Sequence, residues 1–242
     1  MSGSGFKNEK EKQVTTDFTQ DDLIPDVQFV ENPEPRCPCV LLVDVSSSMY
    51  GDKIEQLNDG LGAFSRHIKT DTLASLRTEV AIITFGSGAK VVQDFVTADD
   101  FIPPMLDANG TTDMGAGINL ALDKIEERKQ MYRDNGIDYY RPILLMMTDG
   151  LPTEPADVIM AASDRLKQSE SDKRVAAFSV GVEGADLEIL QEISPRQPLE
   201  LDGLKFSAMF EWLSKSMSRV SASRTDDEIT LDLDSLKDWA KI

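Results

Sequence analysis

The chain has 242 residues, a formal net charge of −18, one histidine and two cysteines. That length holds one α/β domain of ordinary size plus tails and is too short for two comfortable domains. The acidic balance disfavours nucleic-acid backbones and anionic membranes and favours cations and basic partners, and no apolar run is long enough to cross a bilayer.

The first stretch, Met1 to about Pro35, is polar and charged and is expected to be a flexible arm, domain-free over 1–35, with Val27 to Val30 as a short strand or docking segment. It begins Met1-Ser-Gly-Ser-Gly-Phe-Lys and has no apolar h-region, so no signal peptide is expected. Cys37 and Cys39 flank one proline, too close to bridge each other. Free thiols and a cytoplasmic protein follow as expectations. With His67 on an expected helix and no other histidine, nitrogen and sulfur donors for a zinc cage are lacking.

From Cys39 onward apolar runs alternate with amphipathic stretches. Val40 to Val45 reads as a buried strand, and Ile54, Leu57, Leu61, Phe64 and Ile68 then recur at helical spacing. Val80 to Phe85 is the next strand, and Gly86-Ser-Gly88 turns it into Val91 to Val96 as an antiparallel edge strand. A long loop with Pro103, Pro104, Asn109 and Gly110 leads to a helix carrying Ile118, Ala121, Leu122 and Ile125. Ile143 to Met147 is a central strand, Val158, Ile159, Ala162 and Leu166 mark a helix, and Val175 to Val182 is a strand. A short helix at Leu187, Leu190 and Ile193 and a strand from Pro198 to Leu201 precede a terminal amphipathic helix. Its apolar stripe is Phe206, Met209, Phe210, Leu213, Met217 and Val220. The alternation predicts an α/β fold: a doubly wound, mainly parallel sheet with helices on both faces and one antiparallel edge strand. Helical Met and Phe stripes are core on this reading. The domain would span 36–222, and 223–242 would form an acidic and apolar tail. In that tail Leu231, Leu233, Leu236, Trp239 and Ile242 carry too much apolar area for free solvent, so they should pack on the domain or in a partner groove.

Chemistry concentrates at strand ends. Asp44, Ser46 and Ser48 follow the first strand, Asp149 follows the central one, and Asn109-Gly-Thr-Thr-Asp-Met-Gly115 opens a helix between them. In a doubly wound sheet those carboxyl ends share one rim. Carboxylates and hydroxyls there are hard oxygen donors, which suit Mg²⁺ and also Mn²⁺. Ser and Asp after a strand also serve simply as helix caps, which is the plainer reading of any one segment.

Asp-x-Ser-x-Ser, then Gly-x-Thr-x-x-Gly, then Thr-Asp-Gly after a central strand resembles, in that order, the von Willebrand factor A domain from Cys37 to about Arg224. Those elements form that family's metal-ion-dependent adhesion site. The resemblance implies Ser46, Ser48 and Thr112 as hydroxyl ligands and Asp44 and Asp149 as carboxylates acting in part through water. Thr112, not Thr111, has the family's spacing to the next glycine. Ser47 departs from the pattern, since many bacterial members carry Gly there, and a positive φ at that position would strain Ser. Arg36-Cys-Pro, Ser-Met-Tyr-Gly51, Thr-Thr-Asp-Met-Gly115 and the Ser-Ala-Ser-Arg to Trp-Ala ending look like the small bacterial TerY/YegL-type, tellurite-resistance-associated proteins. Relatives there are associated with protein kinases and PP2C-type phosphatases, which implies a stress-response or signalling assembly.

The function this implies is metal-dependent protein recognition in which a partner Asp or Glu completes the ion's coordination, without enzymatic activity and without nucleic acid or membrane as partner. Two readings compete. A haloacid-dehalogenase-type phosphohydrolase would use Asp44 as nucleophile, but Ser46 stands where that chemistry needs an acid/base carboxylate. A structural scaffold with a non-functional metal site is the other. No phosphate-binding Gly-x-x-x-x-Gly-Lys-Ser/Thr loop and no Ser-His-Asp nucleophile pattern are present.

Overall fold

The computed structural model describes Phe29, residues 32–225 and residues 236–241. Of the arm expected to be loose, Phe29 and residues 32–35 are described, and they are docked: Phe29 is buried, Asn32 Nδ2 donates to the Leu76 carbonyl at 2.7 Å and Glu34 pairs with Arg77 at 2.7 Å. The strand expected at Val27 to Val30 lies outside the described residues apart from Phe29. Seven strands form one sheet: β1 Cys37–Asp44, β2 Thr78–Gly86, β3 Gly88–Thr97, β4 Ile143–Thr148, β5 Ala176–Gly181, β6 Leu199–Leu201 and β7 Ala240–Lys241. Their order across the sheet is β3-β2-β1-β4-β5-β6-β7. All pairings are parallel except β2 with β3, the expected antiparallel edge, and β6 with the two-residue β7 at the opposite edge.

The helices are α1 Asp52–Ile68, α2 Thr72–Arg77, α3 Met114–Asp134, α4 Ala156–Ser171, α5 Leu187–Ile193 and α6 Phe206–Ala222. Strand alternation sorts the core between two faces. Cys37, Cys39, Leu41 and Val43 of β1 point to the side of α1 and α6, whereas Val40 and Leu42 point to the side of α3 and α4. The two thiols are therefore buried and free on one face, and burial pushes Cys39 up to about 12. Gly60 lets α1 approach α6: a Cβ there would stand 2.7 Å from Phe210 Cδ2 and 3.0 Å from Phe206 Cβ.

Three details depart from the sequence pattern. Of the four residues that marked α4 in the sequence, Ile159, Ala162 and Leu166 are buried but Val158 is exposed. The short helix α2 has no apolar period to reveal it; Asp71 caps it by accepting from Leu73 N and Ala74 N, each at 3.0 Å. Trp212, outside the expected stripe of α6, is buried against Trp239 with ring centroids 5.0 Å apart. The tail thus returns to its own domain through Leu236–Lys241, while Leu231, Leu233 and Ile242 lie outside the described residues.

β1 leads through α1 and α2 to β2 on one side, and its neighbour β4 leads through α4 to β5 on the other, so the connections leaving their carboxyl ends diverge. That divergence opens a crevice at the ends of β1 and β4. It is where Asp44 and Asp149 stand.

Candidate metal centre

β1 and β4 pair in register with Val43 opposite Met147, which places Asp44 beside Thr148. Thr148 Oγ1 donates to Asp44 Oδ2 at 2.5 Å, and the Ser46 amide donates to Asp44 Oδ1 at 2.8 Å. Asp44 is wholly buried. Burial pushes its carboxyl above the usual value; hydrogen bonds from Thr148 and Ser46 oppose the rise, and the nearby Asp149 adds to it.

After Asp44 the chain makes a 3-10 turn, Ser47–Met49, which turns Ser46 and Ser48 toward each other with their hydroxyl oxygens 2.9 Å apart. Ser48 Oγ in turn donates to Asp149 Oδ1 at 2.6 Å. Ser47 has no positive φ, so Ser at this position carries none of the strain the sequence comparison raised. Its side chain instead donates to the Gly110 carbonyl at 3.0 Å.

Thr112 arrives on the loop before α3. That loop is tied to the first by Asn109 N to Val45 O at 2.7 Å and by Ser47 N to Gly110 O at 3.1 Å. It is tied to the loop after β4 by Thr112 N to Thr153 Oγ1 and Thr153 N to Thr112 O, both 3.0 Å. Glu154 completes the clasp, accepting from Gly115 N at 2.6 Å and Ala116 N at 2.9 Å at the start of α3. A carboxylate there also complements the helix dipole.

The three segments converge at Gly150. A Cβ built on it would lie 3.2 Å from Thr112 Oγ1, 3.5 Å from Ser48 Oγ and 3.6 Å from Asp44 Oδ2. All five residues singled out from the sequence, Asp44, Ser46, Ser48, Thr112 and Asp149, therefore meet at one rim. Among the described residues no three His, Cys, Asp or Glu side chains gather as a metal cage. The donors here are two carboxylates and three hydroxyls, all oxygen, which fits a small hard divalent cation and offers nothing to one that needs sulfur or imidazole.

Three contributors were given no role beforehand. Thr148 stands in the Thr-Asp-Gly element without being singled out, and Glu154, five residues after Asp149, had only its polarity as a signal. Lys53 gave none: it sits in the first turn of α1 and its ammonium pairs with Asp149 Oδ2.

Comparison with known proteins agrees with this arrangement. The family described as von Willebrand factor type A domain matches residues 39–202. Human inter-alpha-trypsin inhibitor heavy chain H6 is 25% identical over 211 residues, which cover 80% of this chain but only 16% of that protein. Among solved structures, the pilus adhesin SpaC from Lactobacillus rhamnosus GG superposes with a TM-score of 0.61 at 14% identity, over 76% of this chain and 30% of that one. Proximal thread matrix protein 1 from the mussel byssus, solved with a zinc-occupied MIDAS motif, gives a TM-score of 0.53 at 17% identity, over 76% of this chain and 48% of that one. At these identities the two structures speak for the fold alone.

Proposed function

The chain belongs to the von Willebrand factor type A domain family, a family of protein-interaction modules, and from that premise we propose that it is a metal-dependent protein-recognition module. Asp44, Ser46, Ser48, Thr112 and Asp149 hold one divalent ion, Mg²⁺ by default with Mn²⁺ as substitute. The observation that carries this reading is the convergence of oxygens from three separate loops on the one small space beside Gly150.

A divalent ion there supplies a positive centre able to accept a carboxylate from a partner. The protein's own residues decide how strongly. Three of the five donors are neutral hydroxyls, so they orient an ion without cancelling its charge. Asp44, with both oxygens already held by Thr148 and Ser46, fixes the geometry of the first loop. The overall charge of −18 repels an acidic partner at long range, and a local positive centre reverses that sign at the rim. Around it, Tyr50 and Leu151, each two residues beyond a donor, are 80% and 49% exposed. A concave surface lined by Val45, Lys90, Val92, Met105 and Asn109 adjoins the first loop. The partner segment this rim suits carries an Asp or Glu flanked by apolar side chains.

The resemblance to TerY/YegL-type proteins makes a protein kinase or PP2C-type phosphatase assembly, in the cytoplasm and in a stress response, the context we favour. Among the described residues no helix is long and apolar enough to cross a membrane. Within the chain we assign 1–35 as an N-terminal segment whose Phe29, Asn32 and Glu34 dock on the domain, 36–222 as the domain and 223–242 as a tail. The phosphohydrolase reading is disfavoured because Asp44 is sealed from solvent and Ser46 supplies no acid/base carboxylate.

Calorimetry with Mn²⁺ tests the assignment. Wild type should bind one ion per chain, and Asp44→Ala should bind little while its circular dichroism stays native. Unchanged affinity in that variant removes the site. With a partner in hand, Thr112→Ala should weaken partner binding by at least about 1.4 kcal/mol, a factor of ten. Equal affinity in wild type, Thr112→Ala and chelated wild type would place the partner elsewhere.

A further inference from the structure

The buried carboxylate of Asp149 already has a cation. Lys53 Nζ pairs with its Oδ2, while Ser48 holds its Oδ1. The Asp149 side chain is 0% exposed and that of Lys53 only 23%. The loop after β5 closes over the pair: a Cβ on Gly184 would lie 3.7 Å from Lys53 Nζ and 3.9 Å from the Asp149 carbonyl oxygen. The location is otherwise a poor one for a lysine. Lys53 is the second residue of α1, where the helix dipole favours anions such as its neighbours Asp52 and Glu55. An ammonium directed inward at that point has its compensation in Asp149.

Counting charge shows what Lys53 changes. Asp44, Asp149 and the Lys53 ammonium leave the rim one unit negative, and a divalent ion makes it one unit positive. Without Lys53 the same ion would be neutralised in full by the two carboxylates. Resting on the metal-site reading above, we propose that Lys53 is the resident cation of this rim. It competes with a divalent ion for Asp149, so it loosens the ion's hold, and it leaves the loaded site with a unit of positive charge for a partner carboxylate. Lys53 is thereby a specificity-determining residue: it exchanges ion affinity for affinity toward anions. In the metal-free protein it keeps two neighbouring buried carboxylates from facing each other uncompensated.

Three proteins test this: wild type, Lys53→Met, which keeps the length and removes the charge, and Lys53→Arg, which keeps the charge. Mn²⁺ calorimetry should show Lys53→Met binding about tenfold tighter than wild type, the order expected when one like charge is removed at a partly screened short distance. Lys53→Arg should stay close to wild type. Water-proton relaxation of the Mn²⁺-loaded proteins, titrated with acetate, should show the opposite order, with half-saturation at several-fold higher acetate in Lys53→Met. Thermal melts keep the test decisive if that variant is hard to fold. It should melt below wild type in chelator and recover in Mn²⁺, whereas an equal loss in both conditions marks Lys53 as structural and overturns the proposal. Mn²⁺ affinity or acetate affinity that is the same in Lys53→Met and wild type overturns it too. If wild type itself binds no Mn²⁺, the metal-site reading fails, and that outcome is read from the wild-type titration alone.

Discussion

At the amino ends of β1 and β2, Glu79 accepts from Arg36 Nε at 3.0 Å, from Arg128 Nε at 2.7 Å and Nη2 at 2.9 Å, and from the Tyr132 hydroxyl. At the carboxyl ends of β1 and β4, hydroxyls hold Asp44 and Asp149, and Lys53 pairs with Asp149. Both groups are buried, yet they are built differently. The Glu79 cluster holds two guanidiniums for one carboxylate, with Phe29 laid over both at 5.6 and 4.9 Å from Arg36 and Arg128. Burial, followed by the Glu79 charge, pushes the Tyr132 phenol well above its usual value. Arg36 also donates to the Glu34 and Asn32 carbonyls, so this end clamps the segment entering β1. Among the described residues, the Glu79 carboxylate accepts four hydrogen bonds, all from this cluster. At the other end negative charge exceeds positive, and the hydroxyls have lone pairs to give. A saturated charge cluster fastens the fold; an unsaturated one is where binding chemistry resides.

The contrast predicts its largest effect at the saturated end. Glu79→Ala leaves two guanidiniums buried without their carboxylate and should cost about 3–5 kcal/mol in urea denaturation. Mn²⁺ affinity of the folded protein should not change, because the two ends are separated by the length of β1, roughly 25 Å at the usual strand rise. Loss of ion affinity in parallel with stability would break the division between the two ends. Next comes Glu154→Gln, which weakens the charge-assisted bonds to Gly115 N and Ala116 N and should cost about 1–2 kcal/mol. Since Glu154 ties the Asp149 loop to the Thr112 loop, this variant should weaken Mn²⁺ binding as well, which Glu79→Ala should not.

Asp44→Asn should act in the opposite direction and by less. The Asp44 carboxyl is raised above its ordinary 3.8, chiefly by burial. The folded state therefore binds its proton more tightly than the unfolded chain does. In chelator, stability due to this group falls as pH rises from about the ordinary value through the raised one, and the full penalty remains at neutral pH. The asparagine variant lacks that penalty, so metal-free it should melt above wild type at neutral pH and lose this advantage on acidification. A variant less stable than wild type at neutral pH in chelator would show that hydrogen bonding to the carboxylate outweighs its desolvation.

The two ends were unequally legible in the sequence. Strands and long helices were readable because burial on both sheet faces imposes apolar runs and 3.6-residue stripes. The rim was readable because its donors stand directly after strand ends, where a doubly wound sheet gathers them. The Glu79 cluster was not. Its two arginines lie 43 and 49 residues from Glu79 and look in sequence like any solvated charge, and Tyr132 is 53 residues away. Lys53 was hidden for the same reason, as a charged residue in a helix whose direction only the fold determines. β7 escaped because two residues carry no period, and Trp239 revealed only that the tail would seek apolar cover, which it finds on Trp212.

Ser47 gives the finest test of how the rim is held. It occupies a position where glycine would be expected if the backbone required a positive φ, and the backbone does not. Its amide and hydroxyl both donate to the Gly110 carbonyl, at 3.1 and 3.0 Å, which joins the first loop to the Thr112 loop without contributing a donor to the ion. Ser47→Gly keeps the amide bond, loses the exposed hydroxyl bond and frees the unfolded chain. Each change favours unfolding slightly, and together they should cost about 0.5–1 kcal/mol in a thermal or urea melt. Mn²⁺ affinity should remain within about twofold of wild type, since the Ser46 and Ser48 hydroxyls are set by the 3-10 turn and by Asp149. A larger loss of ion affinity would mean that the hydroxyl link to Gly110 helps to align the donors. A gain in stability would mean that the turn holds strain which its φ values do not show.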